Sequence, residues 1–159
     1  MFLNKKKAIF LTNILSLVFL LIFNAVKSQE LKVIDGDTIH LNDEKIRFIG
    51  IDTPELKQTC IKDGKINPCG VTAKQILINK IANNTVECVR EGKDQYKRTL
   101  AECFVDNESL SSYLVRSGYA FAYRKYSKKF IVDENYAKVN QAGMWSMKFE
   151  YPWNYRKNN

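Results

Sequence analysis

The sequence contains a single histidine, His40, and no Cys-x-x-Cys pair. These shortages argue against a zinc site built from cysteine and histidine, and they exclude mechanisms that need two histidines. His40 alternates with Ile39 and Leu41, so we expect its side chain to point outward. Any hydrolytic base must then be a carboxylate. Internal repeats and low-complexity segments are also missing, which excludes solenoid and fibrous architectures.

Long apolar runs are absent after residue 28. Before it, Lys5, Lys6 and Lys7 precede a mostly apolar run over 8–26, and small residues follow at Val26 and Ser28. This pattern predicts a signal peptide over 1–28, cleaved after Ser28 to leave a domain of residues 29–159. The alternative is an uncleaved membrane anchor, because about 19 mostly apolar residues could just span a bilayer. We therefore expect an exported protein, secreted or periplasmic, that meets a membrane only if residues 1–28 are retained.

The charge balance is basic, with 25 Lys and Arg against 17 Asp and Glu. Loss of residues 1–28 would remove four lysines and no acid, leaving 21 basic residues. A basic surface favours an anionic partner such as nucleic acid, although a charge of this size does not by itself decide the matter. The length predicts one domain, and we expect a monomer without a protein partner.

Four cysteines, Cys60, Cys69, Cys88 and Cys103, follow the apolar segment. An even number in an exported chain predicts two disulfides, with three possible pairings. We favour Cys60 with Cys69, which closes a short loop, and Cys88 with Cys103, which joins two predicted neighbouring strands. The alternative is that these cysteines are free buried thiols.

Short strands and a few helices alternate along the chain. An α+β fold is predicted, in which five short strands close as an OB-type barrel with about three helices. A polar segment over 55–70 is expected to be a long loop, and the aromatic, basic tail from Lys148 is expected to lie on the body or fray. The predicted strands are 31–41 (bent at Gly36), 45–51, 85–90, 100–106 and a short run at 119–123, and the predicted helices are 71–82, 110–117 and 130–142.

Two acidic motifs, 35–38 (Asp-Gly-Asp-Thr) and 52–55 (Asp-Thr-Pro-Glu), occur in and after the first two predicted strands. Each motif alone is typical of a turn or a strand end. If the strands are neighbours, Asp37 and Asp52 can converge, and paired carboxylates are costly unless a cation or proton neutralises them. Two carboxylates, the Thr53 carbonyl and water would suit Ca²⁺, which prefers oxygen ligands. Glu55 is the candidate base nearest to this site.

Arg47 lies within an apolar strand, and a buried guanidinium needs an anion. In a purely structural interpretation that anion is the carboxylate of Asp52 or Glu55. Residues 47 and 52 would point to opposite faces of a regular strand, so their contact requires a bend near Gly50 or a position of Asp52 beyond the strand end. Arg98 lies in the charged segment 91–99, where we expect most side chains to be solvated.

The sequence resembles the thermonucleases, or staphylococcal nuclease-like family, from about Leu31 to Trp145. The four cysteines are similar to those of exported members with a Cys-containing loop. Five ordered blocks carry the resemblance: Asp35-Gly36-Asp37-Thr38; Arg47-Phe48-Ile49-Gly50-Ile51-Asp52-Thr53-Pro54-Glu55; Asp94-Gln95-Tyr96-Lys97-Arg98 with Leu100-Ala101; Leu114-Val115-Arg116-Ser117-Gly118-Tyr119-Ala120; and Gly143-Met144-Trp145.

The resemblance implies an OB barrel with three helices and calcium-dependent hydrolysis of DNA and RNA. By this resemblance, calcium would be bound by Asp37, Asp52 and the Thr53 carbonyl, with Asp35 beside them. Glu55 would activate or orient water, and Arg47 and Arg98 would hold the phosphate. Tyr123 and Tyr126 would flank the nucleotide. The two tyrosines could instead serve packing or surface roles. One departure is Lys97, which stands where the family usually has glycine. The rival function is a non-catalytic OB module that binds single strands through basic and aromatic residues.

Overall fold

The computed structural model describes residues 29–159, so the two interpretations of residues 1–28 lie outside the described residues. Ten short strands are present: β1 (Leu31–Val33), β2 (Thr38–Leu41), β3 (Glu44–Phe48), β4 (Ile51–Asp52), β5 (Cys60–Lys62), β6 (Lys65–Asn67), β7 (Glu87–Lys93), β8 (Thr99–Val105), β9 (Glu108–Ser109) and β10 (Phe121–Ala122). The helices are α1 (Cys69–Ile81), α2 (Leu110–Arg116), α3 (Ile131–Val139), a 3-10 turn (Gly143–Ser146) and α4 (Pro152–Asn158). In this described part of the chain, no helix has the length and hydropathy needed to cross a membrane.

The main sheet is mixed and has the strand order β1-β2-β3-β8-β7, with β9 paired to β8. Only β3 and β8 run parallel, with Arg47 opposite Leu100. Two further sheets have two strands each, β10 with β4 and β5 with β6. The α+β class is thus as predicted. The predicted closed barrel is not formed by these ladders, because no pairing within residues 29–159 joins β1 to β7.

The core lies between the main sheet and helices α1 to α3. Strand β3 alternates in burial, with Ile46 and Phe48 inside and Arg47 between them facing another direction. From the helices, Leu77 and Leu114 are completely buried against this sheet cluster. This packing fixes β3, and with it the position of Arg47, since burying a large apolar side chain stabilises the fold by about 2 kcal/mol.

The first predicted strand is in fact a hairpin. Leu31 to Leu41 was expected to be one strand bent at Gly36, but β1 and β2 pair antiparallel, with Val33 opposite Ile39. The turn falls on 34–37, which contains the Asp-Gly pair that is a strong hairpin signal. The prediction was wrong because the alternating apolar residues on both sides of the turn were assigned to a single strand.

The segment 55–70 also contains structure that the sequence analysis missed. Strands β5 and β6 form a hairpin around Asp63-Gly64, both of which have positive φ (52° and 74°). Two consecutive residues of positive φ are typical of the tightest hairpin turns, in which Asp-Gly is a preferred pair. The expected long loop is therefore a short hairpin that leads directly into α1.

Both disulfides have the pairing that the sequence predicted. Cys60 in β5 is joined to Cys69 at the start of α1, with Cα atoms 5.9 Å apart. Cys88 in β7 is joined to Cys103 in β8, and these residues are also direct partners in the β7–β8 ladder. The first bond ties the β5–β6 hairpin to α1, immediately after the segment that carries the acidic motif 52–55.

The tail from Lys148 lies on the body, which is the first of its two predicted outcomes, and it ends in helix α4, which the predicted set of about three helices did not include. Its Lys148 backbone pairs with Ile61. The tail is held on the body by an aromatic cluster around the completely buried Phe121, whose members Trp145, Phe149, Tyr151 and Trp153 all contact the Phe121 ring. Pro152 lies in the first turn of α4, a position that suits its fixed φ and missing N–H.

Candidate active site

The turn between β1 and β2 carries the first acidic motif. The Asp35 carboxylate accepts a hydrogen bond from the Asp37 backbone N–H at 3.1 Å, a local contact that stabilises turns. Gly36 packs tightly against Thr53, because a Cβ built at residue 36 would lie 2.8 Å from Thr53 Oγ1. Glycine at this position therefore allows the turn to approach the second acidic motif.

Gly50 supplies the bend that brings Arg47 and Asp52 together. It separates β3 from β4 and has φ +75°, a conformation that favours glycine. A Cβ at residue 50 would also lie 2.9 Å from Ser127 Cβ. The bend removes the objection that residues 47 and 52 face opposite sides of a regular strand.

Arg47 is the centre of the site, and its side chain is only 13% exposed. Its Nη1 lies 2.6 Å from Asp37 Oδ2. Its Nη2 donates hydrogen bonds to Asp52 Oδ1 at 3.0 Å and to the Ile51 carbonyl at 3.0 Å. One guanidinium thus neutralises two carboxylates from separate segments, and the structural interpretation of Arg47 correctly anticipated the Asp52 pair.

The two acids are buried and their oxygens are engaged. Asp37 Oδ2 also accepts hydrogen bonds from the backbone N–H and the hydroxyl of Thr53, both at 2.9 Å. Asp52, with a side chain 2% exposed, accepts a hydrogen bond from Arg156 Nη2 on Oδ2 at 2.8 Å. Arg156 also donates from its Nη1 to Asp52 Oδ1 at 3.2 Å. Asp52 is therefore held between two arginines.

Arg156 is the residue of this site that the sequence analysis missed. It comes from α4 and also donates a hydrogen bond to Glu55 Oε1 at 2.7 Å. Glu55 is thereby brought beside Asp52, and the connection runs through a residue outside the recognised motifs. Pro152 and the aromatic run in the tail could have indicated an ordered helix, but no local signal indicates that Arg156 reaches a carboxylate more than a hundred residues away.

Burial and mutual repulsion perturb the acids of the turn. Burial, together with the smaller effect of the neighbouring Asp37 charge, raises the pKa of Asp35 to about 6. Burial also raises the pKa of Asp52, against the opposing hydrogen bonds and charges of Arg156 and Arg47. The carboxylates of Asp35 and Asp52 would thus be stabilised by additional positive charge at this place.

Arg98 lies apart from this group. Its Nε donates a hydrogen bond to Asp94 Oδ2 at 2.7 Å, and its guanidinium lies 5.5 Å from the centre of the Tyr96 ring. Among the hydrogen bonds and ion pairs of residues 29–159, none joins Arg98 to Asp37, Asp52, Glu55 or Arg47. Arg98 is thus a predicted site residue that the structure does not bring into the cluster.

The turn that carries Arg98 nevertheless has the conformation that a glycine would supply. Lys97 has φ +63°, in the left-handed region, and the Asp94 carboxylate accepts the Arg98 backbone N–H at 2.9 Å. Lys97 therefore preserves the turn at a conformational cost of about 1 kcal/mol. Arg98 precedes β8 by one residue, and Leu100 in that strand is the partner of Arg47.

The predicted nucleotide-flanking tyrosines form one group with the tail. The ring of Tyr123 stacks on Trp153 at 5.5 Å, with an angle of 4° between the planes. Tyr126 lies edge-on to Tyr123 at 5.0 Å and is 66% exposed. Tyr123 therefore has a packing role, while Tyr126 offers an open aromatic surface.

The donor set at the centre of the site is made of hard oxygens. Asp37 and Asp52 converge on one guanidinium, and Thr53 follows Asp52 directly and donates to Asp37. Two carboxylates with backbone carbonyl and water oxygens fit a hard cation such as Ca²⁺. No group of three or more His, Cys, Asp or Glu side chains in the described part of the chain is arranged to hold a metal, so such a site would depend on backbone and water ligands.

Comparison with known proteins shows the family of the chain. The family model described as staphylococcal nuclease homologue matches residues 45–147. The chain belongs to the staphylococcal nuclease family. The matched residues include Arg47, Asp52 and Glu55 of the cluster and the separate Arg98, while Asp37 precedes them and Arg156 follows them.

Individual members of the family are also similar to this chain. A thermonuclease of Staphylococcus intermedius is 38% identical over 97 residues, which are 57% of this chain and 56% of that protein. A thermonuclease of Staphylococcus hyicus is 32% identical over 127 residues, 73% of each chain. An uncharacterized endonuclease of Haemophilus influenzae is 29% identical over 122 residues, 72% of this chain and 64% of that protein. The chain thus spans somewhat less than two thirds of the length of some of these relatives.

Proposed function

We propose that this chain is an exported, calcium-dependent nuclease that hydrolyses phosphodiester bonds of DNA and RNA with little sequence preference. The observation that supports it best is the convergence of buried Asp37 and Asp52 on the single guanidinium of Arg47. Relatives named thermonuclease and endonuclease add support, because they share the family to which the chain belongs. The mixed sheet would then be the wall of an OB-type barrel.

Asp37, Asp52 and the Thr53 carbonyl would hold the ion, with Asp35 beside them. A bound calcium ion would withdraw charge from the phosphoryl oxygens and orient the substrate. Because phosphates rather than base edges would be contacted, little sequence preference is expected.

The side chains of the site would divide the remaining tasks. Glu55, 42% exposed, is accessible to a water molecule that it could orient or deprotonate. Arg98, after leaving Asp94, would donate paired hydrogen bonds to the phosphate, and Arg47 would hold it by the positive charge of its fixed guanidinium, where negative charge builds during attack. The exposed ring of Tyr126, supported by Tyr123, would lie along the nucleotide.

Export is part of the same proposal. Disulfides persist in oxidising compartments, and the paired cysteines account for all four of the chain. Sequencing the N-terminus of the exported protein distinguishes a cleaved signal from a retained anchor, because cleavage would expose Gln29 as the first residue.

The deciding experiment incubates the purified full chain with plasmid DNA and with RNA, in calcium and in EGTA. Cleavage of both substrates in calcium alone is the expected result. Equal products with and without calcium would contradict the role of the ion, and binding without cleavage would instead support the rival single-strand-binding module.

A further inference from the structure

The C-terminal helix places a positive charge on the proposed metal site. Arg156 contacts both oxygens of Asp52, at 3.2 Å and 2.8 Å, and one oxygen of Glu55 at 2.7 Å. Asp52 Oδ2 has no other hydrogen-bond or ion-pair partner within residues 29–159. The guanidinium thus takes the acceptor sites that a cation and a water molecule would need.

The tail that carries Arg156 is anchored independently of this contact. The Gln58 amide donates to the Glu150 carbonyl at 2.6 Å, and Trp153 is stacked between Tyr123 and Tyr151, at 5.5 Å and 4.6 Å. These contacts hold α4 near the site whether or not Arg156 touches Asp52. The Arg156 side chain, 41% exposed, can therefore turn into solvent without loss of the tail from the body.

Arg156 differs in this respect from Arg47. Arg47 is 13% exposed and also donates to the backbone carbonyls of Phe48 and Ile51, so it cannot leave without exposing unpaired groups. A divalent ion at Asp52 would repel a guanidinium held a few ångströms away, and Arg156 is the arginine that is free to move. Displacement of one cation by the other is then reciprocal, because each weakens the binding of the other by the same factor.

Building on the proposed function, we propose that Arg156 is an internal competitor of calcium. In the metal-free protein it occupies Asp52 and Glu55, and both acids become available to the ion and to water only when Arg156 is released. The C-terminal helix thereby lowers the affinity of the site for calcium, so that the acids are filled only where calcium is abundant. Sites of extracellular proteins commonly work in that range.

The test measures calcium affinity directly, by titration calorimetry of CaCl₂ into the full chain without nucleic acid. Arg156→Gln should bind calcium up to about fivefold more tightly than wild type, since a partly exposed charged contact is worth at most about that factor. Lys157→Gln is the matched control, because it removes the same charge from the neighbouring, exposed position of α4. It should change the affinity by less than about twofold. Near-ultraviolet circular dichroism of each variant checks that the aromatic cluster is intact.

A second measurement needs no variant. Hydrogen exchange of the wild-type amides in 155–158, the end of α4 beyond the anchored Trp153, should become faster when calcium is added, because release of Arg156 removes the contact that holds this last turn. Unchanged exchange, or an affinity of Arg156→Gln equal to or weaker than wild type, would overturn the competitor role. If wild type still cleaves nucleic acid only with calcium in that case, the nuclease proposal survives. If neither wild type nor Arg156→Gln binds calcium, both proposals fail.

Discussion

Removal of the Arg47 side chain should cost the metal-free protein about 3 kcal/mol of unfolding free energy. Arg47→Ala leaves Asp37 and Asp52, whose side chains are 8% and 2% exposed, without their shared partner. Breaking a buried ion pair in this way generally costs 3 to 5 kcal/mol, roughly, because a buried charge is left uncompensated. The lower end applies here, since Asp52 keeps Arg156 and Asp37 keeps two hydrogen bonds from Thr53.

The assay is urea unfolding of the full chain at neutral pH in EGTA, followed by circular dichroism and tryptophan fluorescence. Arg90→Ala is the control, because Arg90 pairs with Glu44 at the surface and is 51% exposed. Its loss should cost less than about 1 kcal/mol. Asp52→Asn combined with Arg47→Ala should be more stable than Arg47→Ala alone, because the double variant carries one buried charge fewer.

The reasoning is refuted if Arg47→Ala and Arg90→Ala lose the same small amount of stability. Such a result would mean that the two acids are neutralised in another way, either by protonation or by solvent. Failure of the double variant to recover stability would locate the loss in the backbone contacts of Arg47, with Phe48 and Ile51, rather than in its charge.

Three further predictions concern the same segments. Asp35→Asn should flatten the dependence of the unfolding free energy on pH in EGTA. The folded-state pKa of Asp35, about 6, lies above the ordinary 3.8, so the stability that protonated Asp35 contributes is complete below about pH 4 and is lost as the pH rises through 6. An unchanged unfolding profile between pH 4 and 7.5 would contradict this. Lys97→Gly should stabilise the chain by about 0.5 kcal/mol in urea, because glycine adopts the positive φ of Lys97 without strain, and a destabilised variant would show that the lysine side chain matters more than its backbone. Calcium at 10 mM should raise the unfolding free energy of wild type by about 1.4 kcal/mol if the dissociation constant is about 1 mM, and this gain should vanish in Asp52→Asn.

The strand β3 with its buried face, and a bend near Gly50 as one of two possible arrangements, were predictable from sequence because they depend on local rules. Apolar alternation identified the buried face of β3, and the mismatch in facing between Arg47 and Asp52 required a bend, which Gly50 provides with φ +75°. The disulfide partners followed from strand adjacency and from short loop closure. These features involve residues that are close in the chain or in neighbouring strands.

Errors arose where turn chemistry competed with hydrophobic alternation. Asp35-Gly36 and Asp63-Gly64 each form a hairpin turn, yet the first was assigned to the interior of a strand and the second to a loop. In both places the strands are only three or four residues long. In strands this short, apolar alternation cannot show whether there are two strands, one longer strand or no strand at all. The Asp-Gly pair was the more reliable signal.

The partners of Arg98 and Arg156 depend on information that no sequence window contains. Arg98 pairs with Asp94 at a spacing of four residues, although the family resemblance implies a phosphate as its partner. Arg156 reaches Asp52 only because the aromatic cluster orients α4. A motif that stops at Trp145 cannot indicate this contact.

If the proposed function is right, the two arginines on Asp52 would account for how a buried acid pair can be stable both before and after an ion binds. A site with only Arg47 would leave Asp37, Asp52 and Glu55 sharing one positive charge in the metal-free state, and repulsion among the acids would oppose folding. A second arginine as buried as Arg47 would remove that repulsion but would also exclude the ion. Arg156 meets both requirements, because its position at the edge of the site neutralises the acids while its 41% exposure allows it to leave. The division between a fixed and an exchangeable guanidinium therefore follows from burial alone, before any substrate is considered.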